Sequence, residues 1–102
     1  MLFLMYWELN ENMSQEAQVE AAQKVMSSGI YDNTNIIRWD ITPDGWGITI
    51  FESDSIADIM RSMDMWRAAG TGLFKCTKTS PAMPIQESIA LTGEVVKALA
   101  SA

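Results

Sequence analysis

The segment from Arg38 to Trp66, RWDITPDGWGITIFESDSIADIMRSMDMW, constrains the fold more than any other part of the chain. It contains two apolar runs joined by Asp44-Gly45, a pair preferred in two-residue hairpin turns because both central positions need positive φ. Serine and aspartate follow, with Ser55 as a helix cap, and apolar residues then recur at helical spacing. The segment therefore predicts a β-hairpin that leads directly into an amphipathic helix.

A two-residue turn fixes the pairing of the hairpin strands and thereby the two faces of the sheet. Ile41 then lies opposite Ile48, and Trp39 lies opposite Ile50. The face predicted to lie beneath the helices carries Ile37, Trp39, Ile41, Ile48 and Ile50. The other face carries Ile36, Arg38, Asp40, Gly47, Thr49 and Phe51. A three-residue turn would shift the register by one and mix these two sets, so the clean separation favours the shorter turn.

The remaining elements follow from periodicity and from turn residues. They are predicted as a central strand from Met1 to Leu9, a helix from Ser14 to Ser28 ended by Gly29, a strand from Asn33 to Thr42, an edge strand from Leu73 to Ser80, and a helix from about Gln86 to Ala100 interrupted by Gly93. This order is the split βαβ, ferredoxin-like plan of an α+β domain with an antiparallel sheet, helices on one face and an extra C-terminal helix. Residues 1–102 form a single domain, with a core over about 1–80 and an extension over about 81–102.

Composition excludes several classes of function. The chain carries 13 acidic and 7 scattered basic residues, so neither nucleic acid nor an anionic membrane surface is an expected partner. It contains no histidine, which excludes Ser-His-Asp and Cys-His catalysis and histidine-ligated metals, and we expect no cofactor and no metal. No segment approaches the length of a membrane span, and the lone Cys76 fits a reducing, cytoplasmic setting.

Several of these residues together resemble a known family. The opening MLF, the RWD strand with its glycine-containing turn, the GITIFESDS segment, Trp66 at a helix end and Pro84 are similar to a small bacterial family of unassigned function. That family belongs to the dimeric α+β-barrel, ferredoxin-like superfamily, and the resemblance spans about residues 1–90. It implies a homodimer whose two sheets form a barrel with the helices outside. Wider members include cofactor-independent monooxygenases, isomerases and haem enzymes with a histidine ligand, which this chain lacks.

A sheet with both helices on one side leaves its second face without cover. With the two-residue turn, that face displays Phe3, Met5, Trp7 and Phe51 beside Arg38, Asp40 and Thr49. Such an apolar area favours a two-fold symmetric partner that lays its own sheet against it. The sequence therefore predicts a homodimer.

Two sets of residues are candidates for a ligand site. Tyr6, Trp39, Met60, Met63 and Trp66 are predicted between the sheet and the helices, where flexible methionines and aromatic walls suit an elongated apolar ligand. The alternative is that they form only the core, because a methionine stripe at helical spacing is usually core. Arg38, beside Asp40 on the other face, could bind a carboxylate head, or it could form an ion pair between subunits or be solvated near the barrel rim.

The leading hypothesis is a homodimer that binds a small apolar or amphipathic molecule, fatty-acid-like or aromatic, in a Trp/Met-lined cavity. An anionic, lipid-like ligand would use Arg38. The alternative is a cofactor-independent monooxygenase or isomerase that orients and desolvates a small aromatic metabolite. A structural dimer without a ligand is the third reading, and enzymatic activity is left open.

Overall fold

A computed structural model describes residues 1–28 and 35–102. The elements, in chain order, are β1 (Leu2–Leu9), α1 (Gln15–Ser27), β2 (Asn35–Ile41), β3 (Trp46–Glu52), α2 (Ile56–Ala69), β4 (Phe74–Ala82) and α3 (Ile85–Ala100). The predicted helix stop at Gly29 and the predicted strand start at Asn33 lie outside the described residues. The α+β order of the sequence prediction, with its additional C-terminal helix, is confirmed.

The four strands form one antiparallel sheet in the order β2-β3-β1-β4. β1 lies at the centre because it pairs with both β3 and β4, and β2 and β4 form the edges. β4 runs to Ala82 and includes Pro81, which an edge strand tolerates because one side of it needs no backbone donor. This topology is the ferredoxin-like arrangement predicted from the sequence.

Serine hydroxyls begin both of the helices that cover the sheet. Ser14 Oγ accepts a hydrogen bond from the backbone N–H of Ala17 at 3.1 Å, and Ser55 Oγ accepts one from Ala57 at 3.1 Å. Asp58 does not form a capping box with Ser55, since its carboxylate instead accepts hydrogen bonds from Ser53 and Arg61. The start of α2 is thereby fixed to the end of β3.

The buried core lies between the sheet and the two helices. Phe3 and Phe51 stack with ring centroids 6.0 Å apart, and Trp7 meets Phe74 edge to face at 6.4 Å. The buried apolar cluster consists of Phe3, Met5, Trp7, Phe51, Ile59 and Met63. Residues 3, 5 and 7 of β1 therefore point towards the helices, whereas the sequence prediction placed them on the face without helices.

This correction originates in the hairpin turn. Gly45 N–H donates to the Thr42 carbonyl at 3.1 Å, and Ile41 pairs with Gly47, so the connection holds three residues instead of two. Pro43 fixes φ near the value that position two of a type I turn needs, and Gly45 follows with φ of 79°. The predicted pairing of Ile41 with Ile48 and of Trp39 with Ile50 is therefore wrong.

Because of this shift, the side chains of β3 point to the opposite face from the one predicted, whereas most side chains of β2 keep their predicted face. Trp39 now pairs with Thr49 on the helix-covered face, while Arg38 and Asp40 pair with Ile50 and Ile48 on the open face. An irregularity between Ile36 and Arg38 changes the register again, as a β-bulge does when one extra residue enters a strand. Ile36 consequently pairs with Phe51 and shares the helix-covered face with Trp39.

α3 differs from the other helices because it buries none of its residues among those the structure describes. It runs without interruption through Gly93, so the predicted break there is wrong. Every residue from 89 to 100 is exposed, including Val96 at 61% and Leu99 at 71%. The protein measures 60 × 28 × 19 Å, consistent with a helix that projects from the two-layer body.

Candidate functional site

A cavity of about 240 Å³ lies between the helix-covered face of the sheet and the two helices. The sheet provides its floor, α1 and α2 provide its roof, and the C-terminal end of β1 with the start of β4 closes one side. Its lining is formed by Met5, Trp7, Leu9, Gln18, Ala22, Met26, Ile36, Trp39, Ile41, Thr49, Phe51, Ser62, Met63, Trp66, Leu73 and Phe74. Apolar and aromatic side chains thus dominate the wall, as they do in most small-molecule sites.

Two tryptophans from different elements meet at the more exposed part of this cavity. Trp39 of β2 and Trp66 of α2 lie with ring centroids 5.6 Å apart and ring planes at 79°, the edge-to-face arrangement that aromatic pairs prefer. Trp39 is 42% exposed although it lines the cavity, whereas Met63 beside it is only 6% exposed. The tryptophan pair therefore borders solvent, and Met63 lies at depth.

The polar atoms of the lining are few. Gln18 donates from Nε2 to the Asn10 carbonyl at 3.2 Å, so its amide is already engaged. Thr49 and Ser62 contribute hydroxyls, and Thr49 accepts a hydrogen bond from the indole N–H of Trp7 at 3.0 Å. Within residues 1–28 and 35–102, no charged side chain lines the cavity.

Three of the six predicted site residues line this cavity, namely Trp39, Met63 and Trp66. Tyr6 does not, because it pairs with Ile48 and packs against Trp46, with ring centroids 5.9 Å apart, on the open face. Met60 lies on α2 but is 53% exposed and outside the lining. The sequence pattern placed Met60 on the apolar stripe of α2 because helical spacing alone does not show where that stripe ends.

Arg38 is separated from the apolar residues that were predicted to accompany it. It lies on the open face, where its Nε donates to the Asp40 carboxylate, and its side chain is 71% exposed. Asp40 raises the pKa of Arg38 above its ordinary value, chiefly through this hydrogen bond and then through its charge. Phe3, Met5 and Phe51 lie on the helix-covered side, so Arg38 cannot hold the head of a ligand whose tail they contact.

Thr49 and Gly47 were not recognised as site residues from the sequence. Gly47 pairs with Trp7, and a Cβ built on it would lie 2.4 Å from the Trp7 ring and 2.1 Å from the Asp40 carbonyl oxygen. The missing side chain leaves the space that the Trp7 ring occupies beside β3, where its N–H reaches Thr49. The alternation of glycine and threonine in GITIF was the available signal, but only the correct turn length turns both residues towards the helices.

Neither a metal site nor a membrane-spanning helix is found in the part of the chain that the structure describes. No group of three or more Cys, Asp or Glu residues there is arranged to hold a metal ion. No helix among the same residues is both long and apolar enough to cross a membrane.

Comparison with solved structures supports the fold. A microcompartment protein from Desulfitobacterium hafniense matches with a TM-score of 0.50 and 16% identity, over 79% of this chain and 41% of that one. This chain therefore spans less than half of that protein. A NIPSNAP family protein of unknown function from Agrobacterium tumefaciens matches with a TM-score of 0.50 and 10% identity, over 81% of this chain and 86% of that one. At these identities the likeness concerns the fold alone.

Comparison at the level of sequence identifies the family. No curated protein matches the chain. The profile of a family described as a domain of unknown function, DUF3303, matches residues 1–96, which is nearly the whole chain. The resemblance found in the sequence, to a bacterial family of unassigned function with this fold, is confirmed. The chain belongs to the DUF3303 family of domains of unknown function.

Proposed function

We propose that this protein binds a small apolar or amphipathic molecule in the cavity beside Trp39 and Trp66. The observation that carries the proposal is an apolar cavity of about 240 Å³ in a domain of only 102 residues. Close-packed interiors leave few voids larger than a water molecule, so a space of this size in so small a core is unusual. It would cost packing energy unless a ligand fills it.

The size of the cavity restricts the ligand. An engineered protein cavity of about 150 Å³ holds a single benzene ring. A volume of about 240 Å³ therefore suits two fused rings or a medium-length chain better than a long-chain fatty acid. The open side at Trp39 would let a longer chain extend into solvent.

Binding is better supported than the alternative of cofactor-free monooxygenase or isomerase chemistry. Such reactions involve proton transfers, and the described lining offers hydroxyls and one engaged amide but no carboxylate, lysine or arginine. An assay of oxygen uptake with electron-rich phenols and quinols tests the alternative. Turnover that is lost in Trp39→Ala and Trp66→Ala would favour the enzyme over the binding protein.

A cavity-filling variant tests the binding site. Ala22 of α1 lines the cavity, so Ala22→Leu should occupy part of it with a side chain that is compatible with a helix. We expect native mass spectrometry of purified protein to show a bound small molecule that organic extraction removes, and Ala22→Leu to lose it. Titration of the extracted protein with indane and with decanoic acid, followed by calorimetry, should show binding that Ala22→Leu weakens.

Ala68→Leu provides the matched control, because Ala68 lies on α2, is exposed and does not line the cavity. It should bind as the unmodified protein does. Absence of any bound molecule together with no binding of indane or decanoic acid would refute the proposal. Equal binding by both leucine variants would refute the site.

We further propose that the functional unit is a homodimer joined through the open face of the sheet. That face carries Leu4, Tyr6, Trp46, Ile48 and Ile50, of which Leu4 and Ile48 are each 42% exposed. A contiguous apolar surface on a sheet is a typical interaction site, and a second copy is the economical partner because one patch then covers the other. The Arg38–Asp40 ion pair on the edge strand β2 would provide a polar rim.

Sedimentation of matched aspartate variants tests this interface. Ile48→Asp places a charge on the open face and should convert a dimer into a folded monomer. Ile56→Asp makes the same change at a position that is 60% exposed at the start of α2, in the helical layer, and should leave the dimer intact. A monomeric unmodified protein at tens of micromolar would contradict the proposal.

A further inference from the structure

The Trp7 indole and the Thr49 hydroxyl form a buried hydrogen bond at the cavity wall. Their separation is 3.0 Å, and the two residues are only 6% and 8% exposed. An indole N–H can only donate, so Thr49 Oγ1 is the acceptor. One lone pair of that oxygen is therefore committed to Trp7, and the hydroxyl proton must be directed elsewhere.

Within the described residues, the Thr49 hydroxyl proton has no acceptor. Among residues 1–28 and 35–102, the Thr49 hydroxyl accepts one hydrogen bond and donates none. A buried donor that stays unpaired costs free energy comparable to a lost hydrogen bond. Since Thr49 lines the cavity, a molecule within the cavity is in position to supply the acceptor.

Ser62 is the other hydroxyl of the lining, but its position on α2 gives it a different role. A serine within a helix can reach the carbonyl of the preceding turn by rotating its side chain, although Ser62 shows no such bond among the described residues. Ser62 is also only half-buried, whereas Thr49 is buried, and the sheet partners of Thr49, Met5 and Trp39, carry no side-chain acceptor oxygen. Thr49 is therefore the hydroxyl of the pair that loses more by staying unpaired.

We infer that the cavity selects ligands that carry a neutral oxygen acceptor, with Thr49 donating the hydrogen bond and Trp7 acting as the positioning residue. This inference rests on the proposed binding function and specifies its ligand. A carbonyl oxygen fits better than a carboxylate, because the described lining supplies no cation to compensate a buried negative charge. The ligand class whose oxygen reaches Thr49 is thus an apolar bicyclic or chain ketone, aldehyde, ester or quinone. The carboxylate of a fatty acid such as decanoic acid would instead have to lie at the open side beside Trp39.

Three bicyclic probes of nearly equal size separate hydrogen bonding from shape. 1-Indanone carries a carbonyl acceptor, indane carries no polar group, and indole carries an N–H donor. A net hydrogen bond corresponds to about a twofold to tenfold change in affinity, so the extracted protein should bind 1-indanone more tightly than indane by that factor. Indole should show a smaller advantage, because it offers no acceptor for the Thr49 proton and can donate only to the one lone pair that Trp7 leaves free.

Variants of Thr49 test whether its hydroxyl causes the preference for 1-indanone over indane. Thr49→Val has nearly the same shape but no hydroxyl, and should reduce the preference for 1-indanone over indane to about one. Thr49→Ser should retain the preference, and Thr79→Val, the same change on β4 outside the cavity lining, should leave it unchanged. Ser62→Ala tests the other hydroxyl of the described lining. Thermal unfolding of each variant verifies that it is folded before the affinities are compared.

Trp7→Phe tests the positioning role without touching the hydroxyl. Removing the indole N–H frees the second lone pair of Thr49 Oγ1 and the orientation of its hydroxyl, so indole should gain affinity relative to indane while 1-indanone loses part of its advantage. A purely structural role for Trp7 would change the three affinities in parallel.

The outcomes also separate this inference from the function on which it rests. If none of the three probes binds, the proposed binding function fails. If indane and 1-indanone bind equally to the unmodified protein, or if Thr49→Val keeps the preference, the cavity binds ligands but the assignment of Thr49 is refuted. Loss of the preference in Ser62→Ala alone would transfer the donor role to α2.

Discussion

The two faces of the four-stranded sheet are built from neighbouring residues of the same strands, yet their exposure to solvent differs sharply. On the helix-covered face, Phe3 is 2% exposed and Phe51 is 5% exposed. On the open face, Leu4 is 42% exposed and Ile48 is 42% exposed. Both faces are apolar, so the difference is created by which of them the helices cover and not by composition. One face holds a core with a cavity, and the other holds a surface.

Deletion of a single residue is the strongest test of which side chains point towards the helices, and it should give the largest effect. Removing Ile48 would shift one half of β3 by one residue, so that residues now pointing to the core would point away from it. We expect this variant not to fold. Removing Ile37 should instead give a regular strand, since Ile36 already pairs with Phe51 and Arg38 with Ile50.

Circular dichroism and thermal unfolding measure both deletions. The Ile37 deletion should keep the far-ultraviolet spectrum and a cooperative transition, which the Ile48 deletion should lose. Equal damage from both would mean that the irregularity in β2 is not a removable insertion.

Alanine substitution at adjacent positions of β1 should show the next largest contrast. Phe3→Ala removes a buried ring that stacks on Phe51, and should lower the free energy of unfolding by about 3–5 kcal/mol. Leu4→Ala removes a side chain that is nearly half exposed, and should cost about 1 kcal/mol. Urea unfolding at low protein concentration measures both values, because dilution limits any contribution from association. A larger loss for Leu4→Ala would reverse the assignment of the faces.

Substitution of two glycines, one in the packed body and one in the projecting helix, should have opposite effects on stability. Gly47→Ala would drive a methyl group into the Trp7 ring and the Asp40 carbonyl, and should cost about 1–3 kcal/mol or more. Gly93→Ala in α3 meets no atom within 4 Å and should stabilise the protein by about 0.5–1 kcal/mol, because alanine is the better helix former. Thermal unfolding should show opposite signs. Destabilisation by Gly93→Ala would show that α3 packs against something at that point.

The smallest expected effect on stability comes from the ionisation of Tyr6, whose pKa reports on the environment of the open face. Its pKa is raised above the ordinary value of 10.0, first by burial and then by a hydrogen bond and charge repulsion from Glu8. Since the folded pKa exceeds the unfolded one, this contribution to stability is present below about pH 10 and is lost as the pH rises through the higher folded value. Tyrosinate absorbance should show a component at high pH that Tyr6→Phe removes.

Glu8→Gln should lower the pKa of Tyr6, because it removes the charge that repels the phenolate and weakens the hydrogen bond of the phenol. An unchanged tyrosinate titration in this variant would contradict the role of Glu8. Covering of the open face by a second copy would add to the burial of Tyr6 and raise its pKa further.

Local signals in the sequence were sufficient for the elements and their order. The serine caps, the helical spacing on α1 and α2, and the strand patterns act over a few residues, and the topology followed from the strand and helix order. The tryptophan pair of the site was also predicted, because Trp39 was correctly turned towards α2. Tyr6 was not placed correctly relative to the cavity, because its position depends on how β1 pairs with β3. Arg38 lies on the predicted face, but without the apolar neighbours that were predicted to accompany it.

The hairpin turn shows why the strand register, and with it the faces of the sheet, could not be predicted from the sequence pattern alone. Asp44-Gly45 fits a two-residue turn, whereas Pro43-Asp44-Gly45 fits a three-residue one, and the two differ by a single residue in register. Gly45 is the only residue of the turn with positive φ in the structure, which decides for the longer connection. The apolar character of both parities in β1 offered no independent check.

The sequence by itself determined an α+β, ferredoxin-like chain with two helices on one face, because capping, periodicity and turn chemistry act locally. Only the tertiary structure decided which apolar face those helices cover, that α3 buries none of its residues, and that Trp7 and Thr49 meet at a cavity wall. The physical reason is that a strand alternates its side chains with a period of two. A single residue added in a turn or a bulge therefore exchanges core for surface without changing any local preference.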